Sequence, residues 1–176
     1  MMAGALSGIK VIDFGQYISG PLAAMMLGDH GAEVIRVDPP GGPLWKSDAN
    51  ATLNRGKQLI VLDGKTQQGK VIGKSLIASA DVVIENFRPG VMDRLGWGPS
   101  VMNNANPRLI YCSLPGFATD DPRALMPAWE GIVAAATDTY RPASNNTDTE
   151  RYNSNAASSR PSYTAIPIAS SFTAFL

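Results

Sequence analysis

The chain alternates short apolar runs with helix-forming stretches. Ile9 to Phe14 reads Ile-Lys-Val-Ile-Asp-Phe between Gly8 and Gly15, a β-branched and aromatic run bounded by turn formers that predicts a buried strand. Pro21 suits the first turn of a helix, Leu22 to Leu27 consists of strong helix formers, and Gly31 stands where a helix stop is expected. A second strand, Glu33 to Val37, follows directly. Strand, helix and strand in such close succession predict a right-handed crossover between parallel strands.

The pattern recurs. Leu59 to Leu62 predicts a strand, Gln67 to Ser79 a helix and Asp81 to Ile84 another strand. The spacing in that helix turns Val71, Ser75 and Leu76, with Ile72 beside them, toward a core. A helical stretch from Gly90 to Asn104 and a strand from Arg108 to Ser113 make a further unit. Near-continuous apolar strands alternating with helices predict an α/β fold: a Rossmann-like parallel sheet with helices on both faces. Residues 1–142 are expected to form this domain. From Ala143 to Ser162 the chain is rich in Ser, Asn, Thr and Ala without apolar periodicity, so 143–165 reads as loop or linker. Apolar character returns over 166–176, which reads as the start of a truncated helical segment, as expected of a fragment.

Composition narrows the function. Of 176 residues, 44% are hydrophobic, enough for one well-buried domain. Fifteen basic and fifteen acidic residues balance, so overall charge favours neither nucleic acid nor an anionic membrane, and any phosphate must be held locally. The single cysteine, Cys112, forbids an intrachain disulfide framework and, among apolar neighbours, reads as a buried strand thiol suited to a reducing cytoplasm. The N-terminus lacks the basic region of a signal peptide, and no apolar run approaches the roughly 18 residues of a membrane-spanning helix. A cytoplasmic protein is the expectation.

Neither a P-loop nor Gly-x-Gly-x-x-Gly follows the first strand, which removes the usual support for nucleotide hydrolysis and NAD chemistry. The one histidine, His30, ends the first predicted helix and reads as structural, and no multi-histidine metal site is possible. Three segments remain. Gly15-Gln16-Tyr17-Ile18-Ser19-Gly20-Pro21 joins a strand's C-terminal end to a helix start, where parallel sheets bind ligands and free N–H groups attract anions. Asn54-Arg55-Gly56-Lys57 and Lys65 set three cations around one short strand. In the segment from Glu85 to Gly96, Asn86 can bond a ligand amide, Phe87 can offer an apolar face, and Arg88 or Arg94 can grip phosphate. Together they suit a long amphipathic ligand with a phosphorylated nucleotide end.

From Leu6 to about Tyr140 the chain resembles the class III CoA-transferases, a family that includes the formyl-CoA and carnitine CoA-transferases and the α-methylacyl-CoA racemases. The resemblance rests on Leu6 to Phe14, Ser19-Gly20-Pro21, Gly31 to Pro39, Asn54-Arg55-Gly56-Lys57, Ala80 to Gly90 and Asn106 to Tyr111, in the family's order and spacing. It implies a CoA-binding Rossmann-like lobe in an interlocked dimer, either a homodimer or a heteromer with a related chain, in a protein about twice this length or more. No permanently bound cofactor is implied; coenzyme A and acyl-CoA enter as substrates, with a carboxylic acid as acceptor. By motif match, CoA contacts fall on Gln16, Ile18, Leu62, Lys65, Asn86, Phe87, Arg88 and Arg94.

Two departures bear on activity. The family's catalytic aspartate follows a lead-in that matches Pro167-Ile168-Ala169, but Ser170 and Ser171 come next. A serine ester returns its acyl group far less readily than a mixed anhydride, and Glu130 reads as part of a helix-leading segment rather than a replacement. Gln16 stands where some transferases carry histidine, and Gln can donate a hydrogen bond to a thioester oxygen but cannot act as a base near neutral pH. The resemblance therefore implies a CoA-transferase, a catalytically silent CoA-binding half paired with an aspartate-bearing partner, or a racemase-like protein. The absence of histidine after His30 disfavours the last.

Overall fold

The computed structural model describes residues 4–128 and Ile132. The chain divides into two compact units, Met1–Pro115 and Gly116–Leu176. In the first, β1 (Lys10–Asp13), α1 (Ser19–Asp29), β2 (Glu33–Asp38), α2 (Asp48–Leu53), β3 (Gln58–Val61), α3 (Gln67–Ala78), β4 (Val82–Glu85), α4 (Val91–Leu95), α5 (Pro99–Ala105) and β5 (Ile110–Ser113) follow in order. The strands form one parallel sheet ordered β3-β2-β1-β4-β5. In the second unit, the Arg123 guanidinium pairs with Asp121 at 2.7 Å and lies over the Phe117 ring. The expected boundaries at 142 and 165 lie outside the described residues, as do Glu130 and Ser170.

Side chains along a strand alternate between faces, and each face has its own core. Ile12, Val37 and Val83 point to one side, where Ile77 of α3, Met92 of α4 and Met102 of α5 meet them. Val11, Val34 and Ile84 point to the other, covered by Ala24 of α1. Helices thus flank both faces, as expected. The cover stops short of the edges: Leu59 and Val61 on β3 and Ile110 on β5 remain about 60% exposed. Sheet parity places all three on the α1 face, and α1 packs against the central strands β1, β2 and β4.

The buried side of α3 differs from the expected one. Val71, Ile72 and Ser75 are exposed and Leu76 is half-buried, whereas Gly69, Gly73 and Ile77 face inward. Trp97 explains the rotation. Its ring lies against α3 at Gly73, its Nε1–H donates to the Lys70 carbonyl at 3.0 Å, and its centroid sits 5.3 Å from Phe14. A Cβ on Gly73 would overlap that ring. Gly73→Ala is therefore expected to cost about 1–3 kcal/mol through overpacking, read as a lower urea midpoint with an unchanged slope.

Two further differences have local causes. The stretch read as one helix from Gly90 to Asn104 is two, because Gly96 adopts a left-handed φ of 77° and stops α4. The unexpected α2 begins at Ser47, whose hydroxyl accepts the Asn50 N–H, and it buries none of its residues.

Candidate functional site

The chain builds outward from β1 through β2 to β3, then returns to place β4 on the other side of β1. The loop after β1 leads to α1 on one face, and the loop after β4 leads to α4 on the other. The gap between them is the topological switch point at which open parallel sheets receive ligands.

Gln16 and Asn86 meet there. The Gln16 N–H donates to Asn86 Oδ1 at 2.8 Å, while Asn86 Nδ2 donates to the Gln16 carbonyl at 2.8 Å and to Ser19 Oγ at 3.0 Å. Both N–H groups of the Asn86 carboxamide are consumed inside the protein. Asn86 thus shapes the β1–α1 loop, and the Oδ1 lone pair it keeps in reserve is the acceptor left for a ligand amide. Gly15 and Gly20 close the same loop by backbone contact, since a Cβ on Gly15 would come within 2.7 Å of the Gly20 Cα. Between them Tyr17 holds a φ of 61°, the one left-handed non-glycine among the described residues, and is about half exposed. A bulky side chain in that conformation is strained, and such strain gathers at ligand sites.

Gln16 itself is 5% exposed. Its Oε1 accepts the Leu44 N–H at 3.4 Å and its Nε2 lies 3.5 Å from the Phe14 carbonyl. Both bonds are long, and an acceptor at ordinary distance would compete with the Phe14 carbonyl for Nε2–H. Ile18 is the N-cap of α1 and supplies no side-chain bond, and the helix has no acidic residue in its first turn to compete with an anion.

The other expected contacts form the rim. Leu62 and Phe87 pack half-buried on the α3-side core. Lys65, Arg88 and Arg94 are exposed, and none pairs with a carboxylate among the described residues. The segments bearing Lys65 and Arg94 touch: a Cβ on Gly64 would lie 2.6 Å from Trp97 Cη2 and 3.3 Å from Leu95 Cδ2. Three strand spacings separate β3 from β4, roughly 14 Å. A ligand reaching from Leu62 to Asn86 must be long.

The cations around β3 part company. Arg55 pairs with Asp29 on the surface, and Lys57, read as one of three site cations, is buried in an ion pair with Asp13. Only Lys65 of that set stays open to an anion among the described residues.

Glu85, at the end of β4, is the buried group that sequence reading passed over. Its carboxylate accepts the Phe87 N–H at 2.8 Å and so fixes the turn behind Asn86. Burial pushes its pKa up, against the opposing effect of the Ser113 hydroxyl and the Phe87 amide. A carboxyl raised above its unfolded value of 4.5 favours the folded state at low pH, and that contribution fades as pH climbs through the folded value. Glu85→Gln removes the titration while keeping an acceptor. Its stability relative to the parent is expected to improve from pH 4 to pH 7, which thermal melts at the two values would check.

Cys112, half-buried on β5, has its thiol pushed up by burial and then by Glu85, in keeping with an unreactive strand cysteine. No group of His, Cys, Asp and Glu that could hold a metal occurs among the described residues, and none of their helices is long and apolar enough to cross a membrane.

Residues 6–165 match the family model described as CoA-transferase family III. The CoA-transferase/lyase DddD of a Marinomonas species is 45% identical over 170 residues, which take in 95% of this chain and 19% of that protein. Acetyl-CoA:oxalate CoA-transferase of Acetobacter aceti is 41% identical over 143 residues, 75% of this chain and 36% of the relative. A crystal structure of a hypothetical protein from Mycobacterium tuberculosis superposes with a TM-score of 0.74 at 40% identity, covering 78% of this chain and 41% of that one. The chain thus spans less than half the length of each of these relatives.

Proposed function

This chain belongs to CoA-transferase family III, and from that premise we propose that it supplies the CoA-binding sheet of a protein that moves CoA between an acyl-CoA thioester and a carboxylic acid. The observation that carries the reading is the Asn86–Gln16 clamp at the switch point between β1 and β4, flanked along the sheet edge by Lys65, Arg88 and Arg94. The cations would take the phosphates of the nucleotide end, bidentate in the case of arginine. The half-buried Leu62 and Phe87 would line the path of the pantetheine arm. The loop after β1 would receive the thioester: Gln16 Nε2, released from its long bond to the Phe14 carbonyl, can donate to the thioester oxygen and polarise it.

Titration calorimetry with CoA tests the binding half. Heat of binding is expected for the parent chain and a severalfold weaker affinity for Arg94→Ala, consistent with the loss of one charge-assisted phosphate contact. A folded chain that releases no heat with CoA would overturn the reading.

A second reading is favoured by Ser170 and Ser171, which follow Pro167-Ile168-Ala169 where the family's catalytic aspartate is expected. On that reading the chain binds CoA but leaves the acyl-carrying carboxylate to a partner or a further domain. Incubation with labelled acyl-CoA and a carboxylic acid separates the two, because transfer of label to the acid marks an active transferase and binding without transfer a silent half.

A further inference from the structure

The Lys57 ammonium is buried against both ends of the β1–α1 loop. Its Nζ donates to Asp13 Oδ2 at 2.8 Å, to the Pro21 carbonyl at 2.8 Å and to Asn54 Oδ1 at 2.9 Å. Three acceptors around one nitrogen use all three donors of a charged ammonium. The side chains of Lys57 and Asp13 are 2% and 0% exposed.

Each acceptor anchors a different piece of the site. Asp13 ends β1 and, through its other carboxylate oxygen, accepts the Gly15 N–H at 2.8 Å. Pro21 lies in the first turn of α1. Asn54 closes α2, holding the Asn50 carbonyl at 2.7 Å, and Asn50 Oδ1 in turn accepts from Arg36, which is paired with Asp38. The two ends of the loop, Gly15 and Pro21, are therefore tied to one nitrogen, and that nitrogen is tied to the end of β2. Asn86 grips the middle of the same loop from the β4 side. Tyr17, with its left-handed φ, lies between these two grips.

We propose that Lys57 is a positioning residue for the acyl-CoA site: acting through Asp13 and Pro21, it fixes the β1–α1 loop in the one shape that presents Gln16 and the start of α1 to the ligand. This deepens the CoA-binding reading and rests on it. A buried ion pair adds little net stability over apolar side chains of similar size. What the three bonds secure is geometry, as a preorganised site requires.

The test uses the full chain and the double variant Asp13→Asn/Lys57→Met, which leaves no lone buried charge and keeps the acceptor for Gly15. Lys57→Met is run beside it, and Ile77→Val, in the core of the opposite face, serves as a control for general destabilisation. Amide hydrogen exchange by NMR reads the loop, and calorimetry reads CoA. In the double variant, exchange at Gly15 to Ser19 is expected to quicken about tenfold or more relative to the strands. Its affinity for CoA should fall about tenfold. The control should leave both readouts at parent values despite a lowered melting temperature. A parent that binds CoA, with a double variant matching it in loop exchange and affinity, would overturn this inference alone. A folded parent that takes up no CoA would overturn the binding reading and this inference together.

Discussion

Lys57→Met is expected to lower the unfolding free energy by about 3–5 kcal/mol, the penalty for leaving one member of a buried ion pair without its partner. Asp13 lies fully inside the protein, and its remaining bond to Gly15 cannot offset the desolvation of a carboxylate. Adding Asp13→Asn should return most of the loss, because a neutral amide carries no such penalty. The deficit of the single variant should also depend on pH. Burial, the largest influence on Asp13, raises its pKa above the ordinary 3.8, and Lys57 is the main force pulling it back down. Without that cation the carboxyl binds its proton more tightly in the folded state. Its contribution is then favourable at low pH and lost as pH rises through the folded value. Denaturant unfolding at about pH 5 and pH 8 should find Lys57→Met closer to the parent at the lower value. A deficit independent of pH would mean that the cost arises from lost packing of the lysine stem.

That prediction was out of reach of the sequence, and the reason is physical. Asn54-Arg55-Gly56-Lys57 reads as a cluster of cations, and nothing local tells a solvated lysine from one whose partner stands 44 positions earlier on another strand. The fold was easier to read. β1, β2 and β4 are β-branched runs with flanking turn residues, the central strands of a parallel sheet are buried on both faces, and crossover chirality leaves few ways to connect them. The inward face of α3 was misread because apolar periodicity counts Val71 and Ile72 and passes over Gly69 and Gly73, the very positions that let Trp97 approach. α2 escaped notice for the opposite reason: with no buried face it has no periodicity to detect, only the Ser47 cap. At the site, the sequence marked Gln16 and Asn86 separately, 70 residues apart. Their meeting follows from β1 and β4 becoming neighbours.

Asn86→Asp should expose what that meeting does. The two side chains have the same shape, so packing is unchanged, but an aspartate keeps only acceptors. It can still receive the Gln16 N–H, yet it sets a carboxylate oxygen against the Gln16 carbonyl, now 2.8 Å from Nδ2, and removes the donor to Ser19. The expected cost is about 3 kcal/mol, the upper end for an unsatisfied polar group, because the lost contacts are replaced by repulsion. CoA affinity should fall further than it does in Arg94→Ala, since that change deletes one contact at the rim and this one releases the middle of the loop. A half-buried Asn86 whose only task was to bond a ligand amide would give a different result: weaker binding with unchanged stability. Chemical denaturation and calorimetry on the same samples separate the two, because a clamp moves stability and affinity together whereas a direct contact moves affinity alone.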